Sequence, residues 1–196
     1  EFTLTEPFRR QDAQISKIYM KSPGGYVDVT GLPGERGAVF YPFGAELDCA
    51  GRYLLIKLTA AQEEISLDFI TSERCAVARN PYADESGAPR DIRWEYSTSA
   101  GFAPCELRRD LTHGMSFSGR LTLGCGDIGE YSEGLPENGV WLRASVEYAG
   151  CEDMPLLSGI YTNALTLTQK TRGCVCTETR LDGGFAEADD VLAARG

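Results

Sequence analysis

Between Val140 and Tyr148 the chain alternates strictly, with Val140, Leu142, Ala144, Val146 and Tyr148 set against Trp141, Arg143, Ser145 and Glu147. Successive side chains of a strand point to opposite faces, so this run suits a half-buried strand and could not line one face of a helix. The same period sets Ile92, Trp94 and Tyr96 against Arg93, Glu95 and Ser97. It returns where Phe117, Gly119, Leu121 and Leu123 alternate with Ser116, Ser118, Arg120 and Thr122. Shorter runs at 15–20, 26–29, 38–41, 52–58, 64–70 and 160–168 also read as strands. Turn residues punctuate them at Pro23-Gly24-Gly25, Leu32-Pro33-Gly34, Asn80-Pro81, Ser99-Ala100-Gly101 and Glu137-Asn138-Gly139. These breaks come too often for long helices. Only 185–194 has a helical look, weakened by Gly183-Gly184 before it and Asp189-Asp190 within it. The expected fold is all-β, an antiparallel β-sandwich of jelly-roll type with little helix. Trp94, Tyr96, Phe117, Leu121, Leu142 and Val146 are its expected core.

Three segments are expected. Residues 1–35 supply strands and a loop leading in, 36–170 form the sandwich, and 171–196 are a polar tail or connector ending in Glu187, Asp189 and Asp190. The 196 residues, 42% hydrophobic and 24% charged, are enough for a substantial core without disulfides or metal. A net charge of -10 repels a phosphate backbone or an anionic membrane surface, so nucleic acid is not an expected partner. Apolar runs such as Tyr53 to Ile56 fall far short of the ~20 residues of a membrane-spanning helix. The chain opens on Glu1 and Phe2, with its first methionine at Met20, and reads as a segment of a longer protein. Cys49, Cys75, Cys105, Cys125, Cys151, Cys174 and Cys176 are an odd set without zinc spacing, and are expected mostly as free thiols of a reducing cytoplasm, Cys174 and Cys176 the most accessible.

Catalytic chemistry finds little to work with. The single histidine, His113, lies in Asp110-Leu111-Thr112-His113-Gly114 and reads as a turn residue, and no serine sits in G-x-S-x-G. The acidic pairs Glu63-Glu64, Glu152-Asp153 and Asp189-Asp190 read as solvated loop charges, and no D-x-D-x-D-G calcium loop is present. No catalytic, cofactor-binding or metal-ligating residue is therefore nominated. Trp94 lies on the apolar side of its strand, whereas Trp141 lies opposite Val140 and Leu142. An apolar ring beside Arg143 and Glu147 has the make-up of a protein interface, and Trp141, Arg143 and Glu147 are the candidate site. Two other readings remain open: cover by the chain's own 124–138 connection, or a platform for weak carbohydrate binding.

The order of short motifs adds a resemblance. Phe40-Tyr41-Pro42-Phe43-Gly44 is followed by Gly51-Arg52-Tyr53-Leu54, Ile92-Arg93-Trp94-Glu95-Tyr96, Asp110-Leu111-Thr112, Phe117-Ser118-Gly119 and Trp141-Leu142-Arg143-Ala144. Pro155-Leu156-Leu157-Ser158-Gly159-Ile160 and Asn163 close the series. This succession, over residues 36 to 170, resembles the baseplate-wedge, baseplate J-like assembly proteins of phage-tail-like contractile injection systems, although Phe102 stands where that family has tryptophan. The resemblance implies a structural, non-enzymatic domain without cofactors whose partners are other baseplate or tail proteins. It implies assembly in the cytoplasm and then a place in a phage or phage-like particle. A carbohydrate-binding β-sandwich module is the alternative.

Overall fold

A computed structural model describes residues 10–33, 35, 37–46, 48–72, 90–149 and 154–164, and the backbone of short strands at 2–4, 167–169, 180–181 and 184–185. In chain order the strands are β1 (Phe2–Leu4), β2 (Ile15–Ser22), β3 (Gly25–Asp28), β4 (Tyr53–Leu58) and β5 (Glu64–Thr71). Then follow β6 (Arg90–Thr98), β7 (Gly101–Pro104), β8 (Glu106–Asp110), β9 (Gly119–Gly124) and β10 (Glu130–Tyr131). The last are β11 (Gly139–Ala149), β12 (Leu157–Tyr161), β13 (Leu167–Gln169), β14 (Arg180–Leu181) and β15 (Gly184–Phe185). Every described element is a strand.

The chain divides into two compact units. The smaller, Glu1–Phe8 with Leu165–Gly196, contains the antiparallel pairs β1–β13 and β14–β15. The larger, Arg9–Ala164, is an antiparallel β-sandwich. One sheet runs β3-β2-β4-β11-β6-β7, with β10 also on β11, and the other runs β12-β5-β9-β8. The early strands β2 and β3 are thus full members of the large sheet.

Alternation places the core as expected. Leu54, Ile56, Leu58, Trp94, Val140, Leu142 and Ala144 from the large sheet meet Ile65, Leu67, Phe69, Leu121, Leu123 and Ile160 from the small one, with Tyr96 and Val146 packed against them. Trp94 stands edge-on to Phe69 at 6.0 Å between ring centres, a favourable arrangement of ring quadrupoles. On the small sheet, directly opposed Asp68 and Arg120 form a forked ion pair at 2.9 and 3.2 Å, and the Arg120 guanidinium also donates to the Ala164 carbonyl.

Phe117 is the exception: it is 45% exposed, and β9 begins only at Gly119. The reason lies upstream, where His113, Gly114 and Met115 all take left-handed backbone. That conformation is costly for residues with a Cβ and ends the alternation. Asp110 holds the arc by accepting hydrogen bonds from the Thr112 N–H, the Thr112 hydroxyl and the Gly114 N–H at 2.6, 2.6 and 3.0 Å. Met115, buried to 2%, takes the core place expected for Phe117. Gly119 is required where the arc closes, because a Cβ there would sit 2.7 Å from the Leu111 carbonyl oxygen.

Other boundaries moved for local reasons. The 38–41 run makes a single bridge, Phe40 to Leu157. The strand expected over 160–168 runs Leu157–Tyr161, and Asn163, in left-handed backbone, turns away to bind the Gln11 backbone at both ends of its amide. The helical run lies outside the described residues except for Phe185, which is in β15. Chemical denaturation will separate core from surface: Leu142→Ala costs about 2–5 kcal/mol, whereas Phe117→Ala stays within about 0.5 kcal/mol.

Candidate functional site

Neighbouring strands bring the outer face of the large sheet together in rows. Trp141 is paired with Lys57 on β4, and Arg143 lies between Leu55 on β4 and Glu95 on β6. Leu55 is in turn paired with Tyr19 on β2. Side chains opposed across a ladder share a face, so these residues must pack against one another or against whatever covers the sheet.

The cover is the chain's own. Trp141 is 0% exposed and clusters with Tyr19 and Leu55, with Phe102 and Leu135 packed on top. Leu135 belongs to the connection between β10 and β11, a hairpin in which Glu130 pairs with Val140 and Tyr131 with Gly139. That connection is tied down on several sides. Glu137 bridges Lys57 and Lys17 at 2.9 and 3.1 Å, the Tyr26 hydroxyl donates to the Gly134 carbonyl, and Asn138 donates to Glu130 at 2.9 Å. Lys57 also lies over the Trp141 ring at 5.8 Å. The indole N–H has no hydrogen-bond partner among the described residues, so burial of the ring rather than its polar tip holds it here.

The second of the three nominated residues, Arg143, is equally engaged. Its Nε and Nη2 both reach Glu95 Oε2 at 2.7 Å, and its guanidinium stacks on Phe102 at 4.0 Å and faces Tyr53 at 5.1 Å. Glu95 is 6% exposed and takes Arg93 on its other oxygen at 3.3 Å. A buried carboxylate is tolerable only when paired in this way. Glu147 is exposed and, among the described residues, is paired with Arg93 at 3.3 Å. The three residues therefore share an outer face without forming an exposed apolar ring with a charged surround. Loop cover, one of the two other readings of Trp141, is what the structure shows. A ring with no exposed face cannot stack on a sugar.

Exposed apolar side chains are scattered over the domain, among them Val27, Ile70 and three on or after β8, one of the two edge strands of the small sheet among the described residues. Leu107 is 56%, Phe117 45% and Leu111 39% exposed. Leu107 pairs with core residue Leu123 and so shares the inner face, but β8 has no further strand beside it. A cavity of about 80 Å³ opens here between Leu107, Trp94, Asp91, Asp110, Thr112 and Met115. It is well below the roughly 300–1,000 Å³ of a typical small-molecule site. Both carboxylate oxygens of Asp110 are committed to the turn. His113 is exposed on that turn with its ring against Phe117 at 5.6 Å. The nomination of Trp141 overlooked this edge, because strand periodicity does not reveal which strand is outermost.

Cys105 and Cys125 are free thiols, while Cys75, Cys151, Cys174 and Cys176 lie outside the described residues. Among the described residues no three His, Cys, Asp or Glu side chains cluster as a metal site, and no helix is long and apolar enough to cross a membrane. No protein-family model matches this chain, and no curated protein matches it.

Two outcomes follow for the covered face. Trp141→Ala destabilises the isolated domain by about 3–5 kcal/mol in urea unfolding, because the ring belongs to its own fold; an unchanged midpoint would refute the loop cover. Hydrogen bonds from Lys57 and then Lys17 hold Glu137 below the usual carboxylate range. Its contribution is therefore complete above the ordinary glutamate pKa of about 4.5 and is lost as pH falls through the lowered value. Glu137→Gln is accordingly less stable than the parent near neutral pH, and the two converge as pH falls below the lowered value; a gap that persists in acid would mean that the carboxylate charge is not what fastens the loop.

Proposed function

We propose that this chain is a non-catalytic β-sandwich domain that acts through protein–protein contacts in the baseplate of a phage-tail-like contractile injection system. The observation that carries the reading is the division of labour among the motif residues. Phe43, Trp94, Leu142 and Leu157 are buried and hold the sandwich, Asp110 and Thr112 hold a turn, and Asn163 fastens Gln11. Phe117, inside Phe117-Ser118-Gly119, is an apolar position of the series that the fold leaves largely exposed, and Leu107, outside the series, is exposed as well. Large apolar side chains left exposed on and after an edge strand suit contact with a partner. The partner in this reading is a neighbouring baseplate or tail protein, met during cytoplasmic assembly and retained in the particle.

The experiment is a paired one in the parent particle. Leu107→Lys and Phe117→Asp each leave domain stability within about 0.5 kcal/mol, since neither side chain is in the core. Each reduces incorporation of the parent protein into particles, read by sedimentation and immunoblot. Normal incorporation of both variants would remove this edge from the assembly surface. A parent gene with no sheath, tube or spike gene beside it would count against the particle itself.

A further inference from the structure

Cys105 and Cys125 come together where the chain crosses between sheets. Cys105 is the single residue between β7, in the large sheet, and β8, in the small one. Cys125 directly follows β9. The β8–β9 ladder ends with Glu106 opposite Gly124, so the two cysteines occupy the next opposed positions. Both are anchored in the backbone: the Cys105 N–H donates to the Trp94 carbonyl at 2.9 Å and the Cys125 N–H to the Glu63 carbonyl at 2.7 Å. Their sulfurs are 3.9 Å apart, in contact and unbonded. Opposed residues of an antiparallel pair already bring their Cβ atoms close to the separation a disulfide needs, so closure asks for about 2 Å of sulfur movement at the end of a ladder.

We propose that Cys105 and Cys125 are a redox-active dithiol that closes to an intrachain disulfide, fastening the crossover between the sheets to the end of β9, with a hydroperoxide as the oxidant. The chemistry balances without any further reactant. The Cys125 thiolate attacks one oxygen of hydrogen peroxide; the O–O bond breaks, and the departing hydroxide takes up a proton to become water. The resulting sulfenic sulfur is then attacked by Cys105 Sγ. The S–OH bond breaks, the S–S bond forms, and hydroxide leaves with the Cys105 proton as a second water. Two thiols are oxidised by two electrons and one peroxide is reduced to two waters.

Two features favour this over inert packing. Cys125 is buried to 2%, but Cys105 beside it is only half-buried, which gives a small oxidant a way in. The hydrogen bond with Cys105, and Arg108 behind it, hold the Cys125 thiol below the ordinary cysteine range, the direction that makes it the nucleophile. The same bond, together with burial, pushes the Cys105 thiol up, so the pair gives up one proton readily and keeps the other. The cross-link would join residues 20 apart, a loop long enough for the closed form to resist unfolding measurably better than the open one.

The full chain, fully reduced and then exposed to a small excess of hydrogen peroxide, is split for alkylation with peptide mapping and for thermal unfolding. The expected result is a Cys105–Cys125 cross-linked peptide, a Tm raised by roughly 5–10 °C, and reversal of both by dithiothreitol. Cys105→Ser, at the half-buried position, is the variant that keeps the core intact. It gives no cross-link, loses the redox-dependent Tm gap, and leaves Cys125 trappable as a sulfenic acid. The proposal is overturned if both cysteines of the peroxide-treated parent still alkylate, if the cross-link forms only after denaturation, or if the Tm gap survives in Cys105→Ser. None of these outcomes depends on which particle the domain serves.

Discussion

The central strand β11 is hydrogen-bonded on both edges and buried on both faces, and the rest of the sandwich is arranged to make that possible. Its inner face carries Val140, Leu142 and Ala144 into the core, while its outer face carries Trp141 at 0% exposure. A two-layer sandwich covers only one side of each sheet. The outer side of this strand must therefore be closed by something beyond the second sheet, and the β10–β11 connection does so. The point where that connection departs is built with care. Pairing between β6 and β11 runs as far as Tyr96 and Leu142, beyond which β10 becomes the neighbour of β11. Ser97 sits at the fork, fully buried, and its hydroxyl accepts the Trp141 N–H at 2.8 Å and donates to the Gly129 carbonyl at 2.6 Å. One side chain thereby satisfies backbone groups on two segments that have parted, which is what permits the divergence inside a buried region.

Charge on this face follows from the same geometry. Once Trp141 is covered, the strand positions beside it are partly withdrawn from water, and Glu95 would be a costly group without Arg143 and Arg93. Arg143 suits the place better than lysine because its planar guanidinium can serve Glu95 through its edge while Phe102 and Tyr53 lie against its faces. Glu137 shows the opposite regime. It is half-buried near the surface and paired with two lysines, so its influence is modest, dependent on salt, and confined to keeping the loop seated.

Strand phase was legible in the sequence because it depends only on local alternation. β4, β5, β6 and β11 follow the expected runs, and the inward set Trp94, Tyr96, Leu121, Leu142 and Val146 is observed. What failed were inferences that needed long-range knowledge. The alternation through Phe117 looks continuous, but whether it is interrupted depends on Asp110 capturing Thr112 and Gly114, and Met115 is no better a core candidate than Phe117 on composition. The placement of Trp141 on the outer face was correct from period two alone. Its cover was not decidable, because the covering segment offers little apolar signal beyond Leu135 and is held by charges from β2 and β4, distant in sequence. The strands β7 and β8 escaped notice for another reason: Pro104 and the Arg108-Arg109 pair mask runs too short to show a period.

The outermost strand β8 sets terms on any contact made at that edge. Leu107 pairs with Leu123 and Arg109 with Thr122, leaving Arg108 as an inserted residue in the ladder. An insertion bends and twists an edge, and Arg108 is in addition drawn across to Glu64 and Glu106. Both devices oppose the docking of an extra strand by main-chain hydrogen bonds, the route by which exposed edges aggregate. A partner that meets this edge must therefore do so through side chains. Leu107, on the inner-facing side of the strand, and Leu111, beside Arg120 on the other, are the exposed apolar side chains there. Strand addition is thereby disfavoured at this edge, while its exposed side chains stay accessible.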